Sequence, residues 1–154
     1  MQEMPKAIIA DTSCFIALDN IGELALLQKI YGQVITTPEV QNEFGKQLHH
    51  WVKLQSPEDI TKQRILEINL DKGEASAIAL ALEIHDSTII LDDYKARRIA
   101  ENLGLAITGT LGVIIKAKQQ NIVSSVKPFL QKMKKAGFHL SPEFEKNVLR
   151  EAGE

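Results

Sequence analysis

The stretch Ala-Ile-Ile-Ala-Asp-Thr-Ser at positions 7–13 decides the architecture that we expect for this chain. Its four uninterrupted apolar residues are typical of a short strand buried in the middle of a parallel sheet. Asp11 follows the strand directly, and the hydroxyl groups of Thr12 and Ser13 are suitable caps for a helix that comes next. The stretch therefore predicts a buried strand that leads into a helix, with a carboxylate at the junction.

Short β-branched runs and segments of helical periodicity alternate along the rest of the chain. Thr37 and Pro38 have the residue types of a helix cap and a first helical position. Strands are predicted at 34–36, 52–54, 88–91 and 105–108, and helices at 12–18, 23–31, 38–48, 73–84, 96–103, 111–118, 126–135 and 143–150, with a further element at 64–68. The alternation predicts an α/β fold with a largely parallel sheet, built as one domain over residues 1–154 with a helical tail from about residue 125.

The composition excludes several classes of protein. Hydrophobic residues make up 44% and charged residues 25% of the 154 residues, which is ordinary for a globular protein and wrong for a disordered one. The net charge of −2 excludes a uniformly basic nucleic-acid binder, although a local basic face is compatible with it. Because Cys14 is the single cysteine, an internal disulfide and a cysteine-rich zinc site are excluded as well.

The first six residues, Met1–Lys6, do not combine a basic segment with a long apolar one, so they do not have the pattern of a secretory signal. The longest apolar runs are far too short to cross a bilayer. We therefore expect a cytoplasmic protein that does not associate with membranes.

Acidic residues lie at the ends of the predicted strands. Asp11 follows the first strand, and Asp92 and Asp93 follow a later one. Ligands bind beyond the carboxyl ends of the strands in an open parallel sheet, so these acids share one edge if both strands are central. Glu43, in the helix after the second strand, and Glu74, at the start of an alanine-rich helix, are expected to frame the same edge. Carboxylates gathered there raise one another's pKa, a penalty that hard Mg²⁺ or Mn²⁺ removes.

Each of these acids, taken alone, also has an ordinary structural interpretation. An aspartate after a strand is often a helix cap, as at Asp11, and Asp92 with Asp93 can simply open a loop. Glu43 alone is typical of a solvated helix residue, and Glu74 of a first-turn acid that interacts favourably with the helix dipole. The functional interpretation depends on the combination of the acids and on their order.

Taken together, these motifs resemble the PIN domain, and they are most similar to a prokaryotic PIN-like subfamily. The resemblance extends from residue 8 to about residue 118 and is weaker in the tail. It is carried by Asp-Thr-Ser at 11–13, Pro-x-Val-x-x-Glu at 38–43, Lys-Gly-Glu-Ala at 72–75, Leu-Asp-Asp-x-x-Ala-Arg at 91–97 and Thr-Gly-Thr-Leu-Gly at 108–112. It implies a three-layer sandwich with a central, mostly parallel sheet flanked by helices.

The resemblance also implies roles for individual residues. It places catalytic acids at Asp11, Glu43, Glu74 and Asp93, and metal ligands at Asp11, Glu74, Asp92 and Asp93. Glu74 stands where many PIN domains have aspartate, and Asp92 is either a neighbour of the fourth acid or its substitute. Ser13 is expected to support the carboxylates through its hydroxyl. Thr108 and Thr110 are expected to support the same edge from a later turn.

The activity implied by the resemblance is metal-dependent hydrolysis of RNA phosphodiester bonds. Mg²⁺ or Mn²⁺ held by the acids lowers the pKa of a water and stabilises charge on the attacking and leaving oxygens. The expected substrate is single-stranded RNA, cut to 5′-phosphate and 3′-hydroxyl ends. PIN domains are common among the VapC-like toxins of prokaryotic toxin–antitoxin pairs, so an antitoxin protein is an implied partner. A homodimer is also implied, since small PIN proteins usually dimerise.

Basic residues follow the paired aspartates and recur near the end of the chain. Lys95, Arg97 and Arg98 are predicted to bind the substrate. A stretch without any acid supplies six lysines at positions 116, 118, 127, 132, 134 and 135. These lysines predict a second phosphate-contacting surface, although for any one of them a solvated helix face is the favoured interpretation.

Several other residues have structural interpretations that we favour. Cys14 is predicted to be a core residue rather than a nucleophile, and Trp51 a packing residue at least as readily as a base-stacking one. His49 and His50 are adjacent, which is the wrong spacing for a helical metal pair. The segment at 109–112 lacks full phosphate-loop spacing and is predicted to be a strand-to-helix turn.

Two classes of protein compete with a nuclease. The first is a non-cleaving PIN-like module that binds RNA or protein, which the four retained acids disfavour. The second is a phosphoryl-handling enzyme of another α/β family. A haloacid-dehalogenase-type phosphatase requires an acid where Ser13 stands, and a receiver domain usually pairs its acids after the first strand rather than at Asp92 and Asp93.

Overall fold

Five short strands form one parallel sheet in the computed structural model, which describes residues 7–154. In chain order they are β1 (Ala7–Ala10), β2 (Val34–Thr36), β3 (Val52–Leu54), β4 (Ser87–Ile90) and β5 (Ala106–Thr108). Their order across the sheet is β3-β2-β1-β4-β5. The central strand β1 pairs with β4 in register, from Ala7 opposite Ser87 to Ala10 opposite Ile90. The predicted α/β class is confirmed, and the expectation made for Met1–Lys6 lies outside the described residues.

Helices connect and flank these strands. They are α1 (Thr12–Asn20), α2 (Leu26–Tyr31), α3 (Pro38–Phe44), α4 (Ile60–Leu66), α5 (Lys72–Glu83), α6 (Tyr94–Asn102), α7 (Thr110–Gln119), α8 (Lys127–Lys135) and α9 (Pro142–Glu151). Within residues 7–154, no helix combines the length and the apolar character needed to cross a membrane.

The two faces of the sheet are covered by separate hydrophobic clusters, because successive strand residues point to opposite sides. Ile8 and Ile90 pack on one side, against buried residues of α1, α2, α7 and α8. Ile9 and Ile89 pack on the other side, against α5 and α6. Helix, sheet and helix thus form the expected three-layer sandwich. The alanine-rich face of α5 is buried, which agrees with the predicted close approach of this helix to the sheet.

The last two helices join the first of these clusters. Phe129, Leu130 and Met133 of α8 and Val148 of α9 are buried in it. Their burial against α7 and α1 side chains fixes the tail on the same side of the sheet as α1.

Some element boundaries differ from the predicted ones. Asp11, and not Thr12 or Ser13, is the N-cap residue of α1, and its side chain makes no capping bond. Helix α3 ends at Phe44, because Gly45 adopts a left-handed conformation with φ of 74°, so Leu48 lies outside it. The element predicted at 64–68 is α4, which begins earlier because Asp59 caps it.

Candidate active site

The carboxyl ends of β1 and β4 meet where the connections of the sheet diverge to its two sides. Asp11 follows β1, and its backbone N–H donates to the Ile90 carbonyl oxygen at 3.1 Å. Asp92 and Asp93 lie just beyond Leu91, at the end of the neighbouring strand β4. The edge predicted to collect these acids is therefore the topological switch point of the sheet, where open α/β folds bind ligands.

Asp11 is a buried carboxylate with an unsatisfied oxygen. The residue is 2% exposed, and its Oδ1 atom has no hydrogen-bond partner among the described residues. Burial raises the pKa of Asp11 to about 8; the backbone N–H of Thr12 opposes this shift, while the negative charges of Glu74, Asp71 and Glu43 add to it. Because an ionised carboxylate is costly in such a place, Asp11 requires either a proton or a cation.

Glu43 lies in the last turn of α3 and is held by two other helices. Its Oε2 accepts a hydrogen bond from the Thr12 hydroxyl at 2.7 Å, and its Oε1 accepts one from the Gly73 N–H at 2.9 Å. A Cβ atom on residue 73 would clash with the Glu43 carboxylate, so any other residue there would force this carboxylate to shift away from its partners. The Thr12 hydroxyl is thereby engaged with Glu43, which explains why it does not cap α1.

Buried hydroxyl groups join the start of α3, the helix that carries Glu43, to the neighbouring elements. The Thr37 hydroxyl caps α3 through the Val40 N–H at 3.2 Å and lies 2.7 Å from the Ser76 hydroxyl of α5. The Thr36 hydroxyl donates to the Ala10 carbonyl oxygen of β1 at 2.7 Å. The predicted cap at Thr37 is confirmed, and it also fixes α3 against the helix that carries Glu74.

Glu74 occupies the first turn of α5 and is partly buried. Burial raises its pKa to about 7, and the charges of Asp71, Asp93 and Glu43 raise it further, while a backbone hydrogen bond opposes them. Asp71 caps the helix by accepting from the Glu74 N–H at 2.8 Å. Asp71 is thus an acid of this edge that sequence reasoning missed, although its place two residues before Gly73 was a signal for a cap.

The paired aspartates after β4 have different contacts. Both carboxylate oxygens of Asp92 accept hydrogen bonds from Thr110, one from the N–H at 2.8 Å and one from the hydroxyl at 2.5 Å. Asp93 caps α6 by accepting from the Ala96 N–H at 2.9 Å. The negative charge of Asp93 raises the pKa of Glu74. Asp92, in contrast, is hydrogen-bonded to the turn between β5 and α7.

The predicted supporting residues lie around this edge. Ser13 Oγ is buried and has no hydrogen-bond partner within residues 7–154. Thr110 binds Asp92, as described above. Thr108 turns towards α7, where a Cβ atom on Gly112 would lie 2.3 Å from its Oγ1 atom. The segment at 109–112 forms the turn from β5 into α7, as predicted.

The charges of Glu43 and Glu74 raise the pKa of Asp11, and those of Glu43 and Asp93 raise the pKa of Glu74. These side chains nevertheless do not form a finished metal centre. Among residues 7–154, no three acidic, histidine or cysteine side chains are grouped closely enough to hold an ion. The donor chemistry nevertheless fits a hard divalent cation, since the free Oδ1 of Asp11 is buried beside other carboxylates.

The predicted substrate-binding cations are placed on α6. Arg97 Nη1 donates to the Leu91 carbonyl oxygen at 3.0 Å. A Cβ atom on Gly109 would lie 2.8 Å from that nitrogen, so glycine is needed beside it. The Arg98 guanidinium lies 5.9 Å from the centre of the Tyr94 ring, and Lys95 is exposed.

Three of the six lysines of the predicted second surface are engaged in ion pairs. Lys118, Lys132 and Lys134 pair with Glu154, Glu23 and Glu145, at N–O distances of 3.2, 2.7 and 2.5 Å. Lys116 lies 5.4 Å from the centre of the Tyr31 ring. These contacts favour the alternative of a solvated, internally neutralised helix face.

A cavity of about 690 Å³ opens beside the acidic edge. Ser13, Asp92 and Thr110 line it together with residues of α7, α8, α9 and the start of α6. No sequence pattern indicated it, because its wall comes from elements far apart in the chain.

Two residues with other conceivable functions belong to the core. Cys14 is fully buried, and burial raises the pKa of its thiol, so it is unsuited to act as a nucleophile. Trp51 is 6% exposed and stacks on the His49 ring with centroids 5.5 Å apart. The predicted packing interpretations are confirmed for both.

Comparison with known families agrees with the geometry. A family model described as a PIN domain matches residues 7–154, nearly the whole chain. PIN domains are generally nucleases and typically use divalent metals. No curated protein matches the chain. The parallel sheet, the acids at its switch point and the family match together show that this chain belongs to the PIN-domain family.

Proposed function

We propose that the protein is a metal-dependent endoribonuclease that hydrolyses phosphodiester bonds in single-stranded RNA. The observation that carries the proposal is Asp11, a buried carboxylate with a free oxygen at the switch point of a PIN-domain sheet. A purely structural aspartate at this junction would cap α1, and Asp11 does not. The cost of its burial is consistent with a functional requirement for its charge.

Asp11 and Glu74 would hold the ion, with Asp93 and Asp92 as the further ligands in our proposal. Mg²⁺ and Mn²⁺ suit such oxygen donors, and a bound ion of this kind activates water and stabilises charge on phosphodiester oxygens. Because the oxygens of Asp92 already accept bonds from Thr110, we expect Asp92 to contribute chiefly by positioning that turn.

The side chains themselves orient the reacting groups. Glu43 is fixed by Thr12 and Gly73, so its carboxylate is held ready to accept a proton from water. Glu74, whose pKa is about 7 in the metal-free protein, would give up its proton when it takes the ion. Lys95, Arg97 and Arg98 of α6 would contact the phosphates that flank the cleaved bond.

The proposal also includes a biological role and two partners for the protein. The likeness to VapC-like toxins supports a toxin role, an antitoxin partner and a homodimer. Induced expression in a host, with and without a candidate antitoxin, tests the first two, and light scattering of the purified protein tests the third.

Cleavage of a labelled single-stranded RNA in Mn²⁺ tests the activity. We expect the wild type to cut it, EDTA to abolish cutting, and Asp11→Asn to lower the rate at least about a hundredfold. Asp19→Asn is the matched control, because Asp19 lies on the same helix but pairs with Lys46 at 2.6 Å. Equal rates for the wild type and Asp11→Asn would overturn the proposal, and RNA binding without cleavage would favour the non-cleaving module.

A further inference from the structure

The cavity beside the acidic edge carries aromatic side chains that packing does not explain. Tyr94 is 73% exposed and Phe144 is 47% exposed, and both line the cavity. Phe144 is held in the first turn of α9, where its N–H donates to the Ser141 hydroxyl at 3.2 Å. Exposed rings at the mouth of a cavity offer stacking surfaces to a flat ligand.

The charges around the cavity separate an apolar interior from a basic rim. Tyr94 begins α6, and Lys95, Arg97 and Arg98 follow it, with Glu101 as the acid of that helix. The cavity lining includes Arg97 on the α6 side and the acids Asp92 and Glu151, beside apolar and aromatic side chains. The cations of α6, Arg97 among them, favour a phosphate on that side of the cavity, while a neutral base suits the apolar and aromatic lining.

We infer that this cavity is a base-binding subsite for single-stranded RNA, in which Tyr94 and Phe144 stack on a nucleobase and the cations of α6 hold its phosphates outside. The inference rests on the proposed ribonuclease function and names how its substrate is seated. Cationic grooves with aromatic platforms are the common solution for binding single strands without strict sequence preference. The continuity of the cavity with Ser13 and Asp92 places a bound base next to the acidic edge.

The volume agrees with this ligand. About 690 Å³ lies within the range of small-molecule clefts. The cavity therefore accommodates a base with its ribose while the chain of phosphates passes over its rim.

Fluorescence anisotropy with a labelled ten-nucleotide RNA of mixed sequence tests the subsite. The titrations use EDTA to prevent cleavage, and a matched strand has the same backbone with abasic spacers. We expect Tyr94→Ala and Phe144→Ala each to raise the Kd for the RNA about tenfold. Tyr94→Phe, which keeps the ring, and Ile68→Ala, which removes a side chain 77% exposed elsewhere, are expected to bind as the wild type does.

The abasic strand separates base stacking from other effects. We expect the wild type to bind it at least as weakly as Tyr94→Ala binds the normal RNA, and Tyr94→Ala to bind the abasic strand no more weakly than the wild type does. Equal wild-type affinity for both strands, or unchanged Kd values for both alanine variants, would overturn the inference. A dimer that Phe144→Ala disrupts, with RNA affinity unchanged, would overturn it and assign the cavity to a second copy of the chain. Base-dependent binding without cleavage in Mn²⁺ would refute the proposed activity and leave the subsite standing.

Discussion

At the scale of single residues, the sequence indicated the acids but not the contacts that arrange them. Asp11 was predictable because it follows a buried apolar run, and a strand of this kind ends at a sheet edge. The hydrogen bonds from Thr12 and Gly73 to Glu43 were not predictable, since they join α1, α3 and α5 across more than 29 residues of chain. A hydroxyl and a glycine have many local uses, and only the fold selects this one.

Gly73 tests how tightly Glu43 is held. Gly73→Ala places a methyl group against the Glu43 carboxylate, so we expect it to destabilise the protein by about 1–3 kcal/mol and to slow RNA cleavage. Chemical denaturation measures the first effect. In a Glu43→Ala background the methyl group has space, and the same change is expected to cost much less. Equal costs in both backgrounds would contradict this account of Gly73.

At the scale of elements, periodicity located the strands and most helices, and the errors lie at their ends. The helix expected to include Leu48 ends at Phe44, because the next residue, Gly45, adopts a left-handed conformation. Glycine adopts this conformation at little cost. The segment at 64–68 was hard to interpret because α4 is largely exposed and has a weak apolar stripe. Cap residues decided these boundaries, and cap side chains such as Asp59 resemble ordinary loop residues in a sequence.

The turn between β5 and α7 provides a prediction at this scale. Thr110→Val removes the hydroxyl that donates to Asp92, and we expect it to lower the free energy of unfolding by about 1–3 kcal/mol. Thr110→Ser keeps the donor and is expected to stay close to the wild type. Thermal or urea unfolding measures both variants. If the valine and serine variants were equally stable, the Asp92–Thr110 pair would not fix this turn.

At the scale of the whole molecule, the near-neutral total charge hides an uneven distribution. Residues 1–115 contain ten basic and sixteen acidic residues, and residues 116–154 contain eight and four. Part of the basic excess of the tail is neutralised within the molecule, because Lys132 and Lys134 pair with Glu23 and Glu145. Such long-range pairing cannot be deduced from composition. The acidic excess of the first part, in contrast, supplies the carboxylates at the switch point.

The crowded acids make the stability of the metal-free protein depend on pH. The pKa values of Asp11 and Glu74 are about 8 and about 7 in the folded state, well above their ordinary values. The folded state therefore holds more protons than the unfolded state from the ordinary pKa values, 3.8 and 4.5, up to the folded ones. The stability is lost as the pH rises through the folded values. In EDTA, we expect the Tm to fall between pH 5.5 and pH 8.5, by at least about 3 °C.

Two comparisons identify the source of this loss. Asp11→Asn removes the carboxylate, so it is expected to be more stable than the wild type at pH 8.5 in EDTA and to show a weaker pH dependence. Asp19→Asn serves as the control and is expected to follow the wild type. Adding Mn²⁺ at pH 8.5 is expected to raise the Tm of the wild type and of Asp19→Asn, but not that of Asp11→Asn. A wild-type Tm that rises with pH in EDTA would contradict the raised pKa values.

The central claim is that the acids at the ends of β1 and β4 form a divalent metal site. A crystal soaked in Mn²⁺ tests it most directly, because anomalous scattering locates the ion independently of the protein. We predict an anomalous peak within coordination distance of a carboxylate oxygen of Asp11 and beside Glu74, and no such peak in Asp11→Asn crystals. A fully soaked wild-type crystal with no Mn²⁺ near Asp11 would contradict the account.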